Sequence, residues 1–198
     1  GTLPDELLVI GSAFIKNIKD ACPSIDISVA PALRFQNIIN YNNSKKNKKI
    51  KRDLILLAMP MDLNQAQGII KFVLNTDLDK RYKLVIKIHP TISQKKFQQM
   101  IPESLHKKFV FTSKSLNTLF HKAKLLVTSG SSVTVEAALC GVFVGIYGNR
   151  SGPTINPLLG VVEEDYWSVL YTPEDFRKAL SKDLPIIVLP TSSYLQTT

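Results

Sequence analysis

Residues 124–141 read KLLVTSGSSVTVEAALCG, and this stretch decides the fold. It starts with an apolar strand over residues 125–127, passes through small hydroxyl residues around one glycine, and continues as a helix. A strand that leads through a tight turn straight into a helix is half of a β-α crossover, the unit from which parallel sheets are built. The stretch therefore predicts an α/β fold with a parallel sheet.

The same alternation runs through most of the chain. Strands are predicted at DLILLAM, KLVIKIH, KFVFTS, KLLVTS and VFVGIY, and helices between them at NQAQGIIKFVLNTD, SQKKFQQMI, SLNTLFHKA and SSVTVEAALC. Strands so rich in Val, Ile and Leu are typical of a parallel sheet that is covered on both faces. We therefore predict an α/β domain over residues 53–184, a doubly wound, Rossmann-like sheet with helices on both faces.

A later helix carries its own start signal in YTPEDFRKALSK. Thr172 is placed to cap this helix, Pro173 fits its first position, and Asp175 falls where the acid of a capping box belongs. The signal predicts a helix that begins directly after Thr172.

Three segments lie outside the predicted domain. Residues 1–41 contain one strand-helix-strand unit (ELLVI, SAFIKNIKDAC and DISVAPALRF), too little for a core of its own, and we expect a remnant of a preceding domain or a hinge. Residues 42–52 form a basic linker with six lysines and arginines and no acid, in a chain of net charge +9. Residues 185–198 are predicted to be a tail.

The basic run limits the partners of the chain. Mutually repelling lysines are typical of a solvated linker, and contact with an anionic membrane face is the alternative. Nucleic-acid binding is disfavoured, because no aromatic residues interleave with the lysines as a stacking platform requires.

Composition and cysteine usage indicate a cytoplasmic protein without a metal. With 44% hydrophobic residues the chain can bury a core, and no apolar run approaches the roughly 18 residues of a membrane-spanning helix. Cys22 and Cys140 have no metal-ligand spacing and are predicted to be buried free thiols in a reducing compartment. The three histidines also lack ligand spacing, so neither a zinc site nor a cofactor is predicted.

The stretch KLVIKIHP places a histidine where a ligand would bind. In open parallel sheets, ligands bind beyond the carboxyl ends of the strands. Strand alternation puts His89 at the end of its strand on the same face as Val85 and Lys87, and Pro90 prevents a helix from starting there. An imidazole at this place can donate a hydrogen bond to a phosphate or carry a proton to one that is leaving. A histidine bonded to a neighbouring loop carbonyl is the structural alternative.

The residues between strand and helix in the opening stretch predict an anion site. Gly130 allows a close approach of the backbone to a ligand, and the free amides at the start of a helix attract phosphate, with the hydroxyls of Ser129, Ser131 and Ser132 extending the site. Ordinary N-capping by one serine is the alternative. Capping requires a single hydroxyl, however, and here several surround a glycine.

Two more residues are candidate ligands. Glu136 lies four residues after Ser132, one turn into the helix, where its carboxylate can accept hydrogen bonds from ribose hydroxyls; an exposed helical glutamate is the alternative. Arg150 lies in the long loop YGNRSGPTINPLLG, residues 147–160, which is predicted to be a binding loop or lid. It is a candidate counter-ion for phosphate or an acidic sugar, and an exposed loop arginine is the alternative.

A strand that ends in His-Pro, followed two β-α units later by a serine pair that opens a helix with a downstream glutamate, resembles the C-terminal, donor-binding half of GT-B-type glycosyltransferases. Within that group the chain is similar to bacterial surface-carbohydrate enzymes. These include the sialyl- and polysialyltransferases, which use CMP-activated sugars, and the CDP-glycerol polymerases of teichoic acid synthesis. The resemblance covers roughly residues 53–180.

The resemblance implies a donor site with one catalytic residue, His89, on the donor phosphate. Pro90 would fix its loop, the serine pair and the Gly130 amide would hold phosphate, and Glu136 would bind the ribose. The residues expected to bind the donor are His89, Pro90, Ser129, Gly130, Ser131, Ser132, Glu136 and Arg150.

The implied function is that of the domain that binds a CMP- or CDP-activated sugar donor in a glycosyltransferase for bacterial surface carbohydrate. The glycan acceptor and the catalytic base would belong to an N-terminal domain outside this chain, so we expect the chain to be part of a longer enzyme. A sugar-nucleotide epimerase of the same architecture and a non-catalytic Rossmann-like interaction module are the alternatives. The predicted location is cytoplasmic, at the inner face of the membrane if the basic run binds lipid.

Overall fold

The computed structural model describes residues 3–36, 38, 51–150, 152–160 and 162–184. These residues fall into two compact units, residues 3–38 and residues 51–184, and each is described by itself. Most of the predicted basic linker, and the predicted tail over residues 185–198, lie outside the described residues. None of the helices in the described ranges combines the length and apolarity that crossing a bilayer requires.

The first unit is a small β-α-β element. Strand β1 (Glu6–Val9) pairs in parallel with β2 (Asp26–Val29), and a 3-10 turn leads into α1 (Ile15–Ala21) between them. The predicted second extended segment is shorter than expected, because the chain becomes helical over residues 33–36. Two strands of four residues are too little sheet to be stable by themselves.

The second unit contains a sheet of six parallel strands. The strands are β3 (Leu54–Ala58), β4 (Lys83–Lys87), β5 (Phe109–Phe111), β6 (Ala123–Thr128), β7 (Phe143–Tyr147) and β8 (Trp167–Leu170). The α-helices are α2 (Leu63–Leu74), α3 (Gln94–Gln98), α4 (Glu103–His106), α5 (Leu116–Phe120), α6 (Val133–Leu139) and α7 (Pro173–Ser181). The predicted fold class, a Rossmann-like parallel sheet with crossover helices, is confirmed.

The strand order is β5-β4-β3-β6-β7-β8, which is the 3-2-1-4-5-6 order of a doubly wound sheet. The direction of strand addition reverses between β3 and β6. A crevice opens at such a switch point, outside the carboxyl ends of the strands. The order of the strands therefore marks the place where this fold binds a ligand.

Strand β8 and helix α4 were not predicted from the sequence. The four residues of β8 are mostly half-buried, and the strand forms the edge of the sheet beside β7, so it needs no long apolar run. Helix α4 has four residues, too few for a periodic pattern.

The core is formed by strands buried on both faces and by the helices that cover them. Every residue of β3 is buried, and residues 125–127 of β6 are fully inaccessible. Helix α2 packs its apolar face against the sheet, through Ala66, Ile69, Ile70, Phe72 and Val73. Full burial of a Leu, Ile or Val side chain contributes about 1.5–3 kcal/mol, and this burial holds the strand ends in place.

Local capping defines where two of the helices begin. The Asp62 carboxylate accepts a hydrogen bond from the Asn64 N–H at 2.8 Å and starts α2. The predicted capping box of α7 is confirmed. The Asp175 N–H donates to the Thr172 hydroxyl at 3.2 Å, and the Thr172 N–H donates to the Asp175 carboxylate at 2.9 Å.

Arg52, which was predicted as the last residue of the solvated linker, packs into the domain. Its guanidinium donates to the carbonyls of Cys140, at 2.9 Å, and of Gly141. These carbonyls follow the end of α6, where a cation is favoured. Burial lowers the pKa of Arg52. The sequence could not show this contact, because it joins positions 88 residues apart.

The two cysteines are free, as predicted. Cys140 is 3% exposed, and burial raises the pKa of its thiol to about 12. Cys22 is half-buried rather than buried.

Candidate functional site

A pocket of about 330 Å³ opens at the carboxyl edge of the six-stranded sheet. Its walls come from the segments that follow β3, β4, β6 and β7, on both sides of the switch point. The lining residues are Met59, Pro60, Met61, Asp62, Gln65, His89, Ser129, Gly130, Ser131, Tyr147, Asn149, Pro153, Thr154 and Ile155. The predicted histidine and three of the predicted hydroxyl-and-glycine residues therefore meet in one pocket.

His89 lies in a turn just beyond the end of β4, not inside the strand. The Ile92 N–H donates to the His89 carbonyl at 2.9 Å, which closes a β-turn with Pro90 at its second position. The imidazole Nδ1 contacts Thr91 through the hydroxyl at 2.7 Å and the backbone N–H at 3.3 Å. Among the described residues, Nε2 has no hydrogen-bond partner. The half-buried ring thus keeps one nitrogen available at the pocket.

Ser129 connects the two loops at the switch point. Its hydroxyl donates to the side-chain carbonyl of Gln65 in α2 at 2.8 Å. Residues 59–65 follow β3 and Ser129 follows β6, so this bond ties the two walls of the crevice together. The wall over residues 59–65 was not predicted. Two signals pointed to it: Asp62 can cap a helix directly after a buried strand, and ligands bind beyond the carboxyl ends of parallel strands.

Gly130 adopts a φ of +31°, in the left-handed region that favours glycine. A Cβ at this position would lie 3.0 Å from the Cβ of Ile155, which is tighter than ordinary contact. The glycine was predicted to allow the approach of a ligand. The structure shows that the close neighbour is Ile155, a residue of the opposite pocket wall.

Ser131 makes a weak capping contact and also lines the pocket, the two alternatives that the sequence left open for the serines. Its hydroxyl accepts a long hydrogen bond from the Val133 N–H at 3.4 Å, which is a weak capping contact. Its carbonyl accepts from the Thr134 hydroxyl at 2.8 Å, so the backbone at the start of α6 is held firmly. Ser131 also lines the pocket, and the capping contact leaves its hydroxyl hydrogen available to a ligand.

Four of the predicted site residues do not line the pocket. Ser132 is exposed and makes no side-chain capping bond, and the half-buried Glu136 lies one turn further into α6. Arg150 is exposed and donates to the carbonyl of Tyr171. Pro90 acts through its turn and is itself exposed. The predicted ligand roles of these residues stay predictions.

The loop over residues 147–160 forms one wall of the pocket, through residues 153–155. The Thr154 hydroxyl accepts from the Asn149 N–H at 3.0 Å and lies 3.2 Å from the hydroxyl of Tyr171. Tyr171 also packs on Gly148, where a Cβ would lie 2.3 Å from its ring. The described part of the loop is therefore tied to the end of β8.

The described lining of the pocket contains few ionisable side chains. Its described lining contains one carboxylate, Asp62, and one imidazole, His89, and no lysine or arginine. An anion bound here would accept hydrogen bonds from the imidazole N–H, serine hydroxyls and backbone amides. No group of three or more His, Cys, Asp or Glu side chains in the described ranges is placed to hold a metal ion.

No family model matches the chain, and no curated protein matches it in sequence. Solved structures match in fold. A UDP-GlcNAc 2-epimerase from Neisseria meningitidis, bound to UDP-GlcNAc, has a TM-score of 0.52 at 13% identity, covering 92% of this chain and 57% of that one. A variant of the wall teichoic acid polymerase TagF with CDPG has a TM-score of 0.50 at 12% identity, covering 90% of this chain and 48% of that one.

The chain has the fold of one GT-B half. At such low identities the match shows the fold alone. The chain spans about half the length of the solved structures that it matches. The finer resemblance to sialyl- and polysialyltransferases stays a prediction.

Proposed function

We propose that this pocket binds the nucleotide of an activated sugar, and that the chain is the donor-binding domain of a glycosyltransferase for bacterial surface carbohydrate. One observation carries the proposal. His89 and residues 129–131, about 40 positions apart in sequence, line one pocket where the strand order reverses. This is the place where doubly wound sheets bind nucleotides.

In the proposed complex, the donor phosphate accepts hydrogen bonds from His89 and from the hydroxyls or amides of residues 129–131. These donors stabilise the charge that develops on the phosphate as the nucleotide leaves. An acceptor hydroxyl forms the new bond at the activated carbon, or at phosphorus for a glycerophosphate donor. The bond to the departing phosphate oxygen breaks with its electron pair, and the acceptor proton goes to a base outside this chain.

The apolar part of the lining offers a surface for the base of the nucleotide. Met61 and Ile155 line the pocket with 65% and 69% of their surface exposed. A planar base packed between them would bury both. CMP- and CDP-activated donors are favoured, and the TagF structure that contains CDPG supports the cytidine nucleotide.

Isothermal titration calorimetry of the chain with CMP, CDP and UDP tests the proposal. We expect a cytidine nucleotide to bind most tightly. A preference for UDP would instead favour the second candidate, a sugar-nucleotide epimerase. Absence of binding to all three would contradict both and favour a non-catalytic interaction module.

The epimerase is retained because of the Neisseria meningitidis structure, which matches this fold at a TM-score of 0.52. Such an enzyme would bind a UDP-sugar at the same crevice and would need acidic residues from two domains. In this pocket Asp62 is the one carboxylate among the described lining residues. The acceptor-binding N-terminal domain, the membrane contact of the basic run and the cytoplasmic location stay predictions.

A further inference from the structure

The four residues His89, Pro90, Thr91 and Ile92 form the turn that presents the imidazole. Its closing bond runs from the Ile92 N–H to the His89 carbonyl at 2.9 Å. Pro90 sits at the second position, where its restricted φ suits a turn. Thr91, at the third position, brings both its N–H and its hydroxyl to the Nδ1 atom of His89.

These two contacts assign the proton on the neutral ring. The 2.7 Å contact between Nδ1 and the Thr91 hydroxyl fits either direction, since a hydroxyl can donate or accept. The 3.3 Å contact with the Thr91 backbone gives the direction, because an N–H can only donate, and the shorter hydroxyl contact is the stronger of the two. Nδ1 is therefore the acceptor, and the neutral imidazole carries its hydrogen on Nε2.

We propose that Thr91 is a positioning residue, which holds His89 as a hydrogen-bond donor toward the pocket. The identity of the ligand rests on the proposed function. With Nδ1 turned to Thr91 and Nε2 protonated, the neutral ring has no lone pair left for a general base. Both roles that the sequence left open, hydrogen-bond donation to the phosphate and transfer of a proton to it as it leaves, use the Nε2 hydrogen that this turn presents.

The Thr91 hydroxyl is the part of the turn that a substitution can remove cleanly. Thr91→Val keeps the shape and the backbone N–H but removes the 2.7 Å contact. Thr91→Ser retains a hydroxyl that can make the same contact. Thr112→Val is the matched control, because the Thr112 hydroxyl makes a similar turn contact, accepting from the Lys114 N–H at 3.2 Å, and does not line the pocket.

Nuclear magnetic resonance of the full chain with ¹⁵N-labelled histidine reads the tautomer directly, at a pH that keeps the rings neutral. His106 is an internal reference. Its Nε2 faces two carbonyls, of Gln98 at 3.1 Å and of Ile101 at 3.0 Å, so it must carry the hydrogen there. A His89→Ala sample assigns the His89 signals.

We expect His89 to show the same pattern as His106 in the wild type, in Thr91→Ser and in Thr112→Val. In Thr91→Val only the long 3.3 Å backbone contact remains, so the pattern should shift toward a mixture of tautomers. By calorimetry, Thr91→Val should bind CMP or CDP about 2- to 10-fold more weakly, as expected for one lost hydrogen bond, and Thr91→Ser should restore the affinity.

A wild-type ring with its hydrogen on Nδ1 would overturn the inference, and so would a Thr91→Val spectrum identical to that of the wild type. The experiment also separates this inference from the proposed function. If the tautomer responds to Thr91→Val but no variant binds a nucleotide, the positioning role stands and the proposed function fails.

Discussion

Substitution of Gly130 by alanine tests how the two pocket walls are held together. The substitution places a methyl group 3.0 Å from the Ile155 Cβ and forces a side chain onto a residue with a φ of +31°. Because the contacting atom is a Cβ close to the backbone, the wall over residues 153–155 has to shift rather than rotate one side chain. The pocket between the two walls would then change shape.

The structure offers a control that separates the two effects. Gly160 has a φ of +71°, and a Cβ there would meet nothing within 4 Å. Gly160→Ala should therefore report backbone strain alone, about 1–2 kcal/mol. Gly130→Ala adds a steric contact and should lower the free energy of unfolding by about 2–4 kcal/mol. In an Ile155→Gly background, which lacks the contacting Cβ, the loss caused by Gly130→Ala in the double variant should fall back toward that of Gly160→Ala.

Urea unfolding followed by the fluorescence of Trp167, the one tryptophan of the chain, measures these differences in the second unit. Calorimetry with CMP and CDP shows whether the pocket has changed. We expect Gly130→Ala to weaken nucleotide binding and Gly160→Ala to leave it unchanged. Equal destabilisation by the two substitutions, with no rescue in the double variant, would refute the reasoning.

Two further predictions concern a binding residue and a capping residue. His89→Ala should weaken binding of CMP or CDP by about 10- to 100-fold with little change in melting temperature, because a hydrogen bond to a charged group contributes roughly 1.5–3 kcal/mol. His106→Ala removes bonds to two backbone carbonyls, so it should lower the melting temperature with little change in nucleotide binding. Equal losses of stability in the two variants would contradict the binding role of His89. Partial burial acts to raise the pKa of Asp175, but hydrogen bonds from Thr172 and Tyr171 outweigh it and lower that pKa. The Asp175 carboxylate therefore stabilises the folded state above the usual carboxyl pKa near 3.9, and this stabilisation is lost as the pH falls through the lower pKa that the group has in the folded state. Asp175→Ala should reduce the free energy of unfolding by about 0.5–1 kcal/mol at neutral pH and by progressively less in acid; a pH-independent difference in urea unfolding would count against the capping box.

Much of the fold could be predicted because its signals are local. The apolar runs that became β3, β4, β6 and β7 are long enough to be recognised one at a time. The strand β8 could not be recognised in this way, since an edge strand of four residues is stabilised by its neighbour β7. Part of the candidate site was predictable for the same reason. His89 and residues 129–131 stand out at strand ends, whereas the wall over residues 59–65 becomes a wall only because β3 lies beside β6.

By itself, the sequence determined most of the elements and some of their ends: the alternation of apolar strands with helices, the capping box of α7 and the turn that follows β4. These depend on backbone preferences and on hydrogen bonds between residues a few positions apart. Only the tertiary structure decided the order of the strands, the approach of Ile155 to Gly130 and the bond between Gln65 and Ser129. Those contacts join residues that are 25 to 64 positions apart, and burial of the whole core, rather than any local pattern, brings them together.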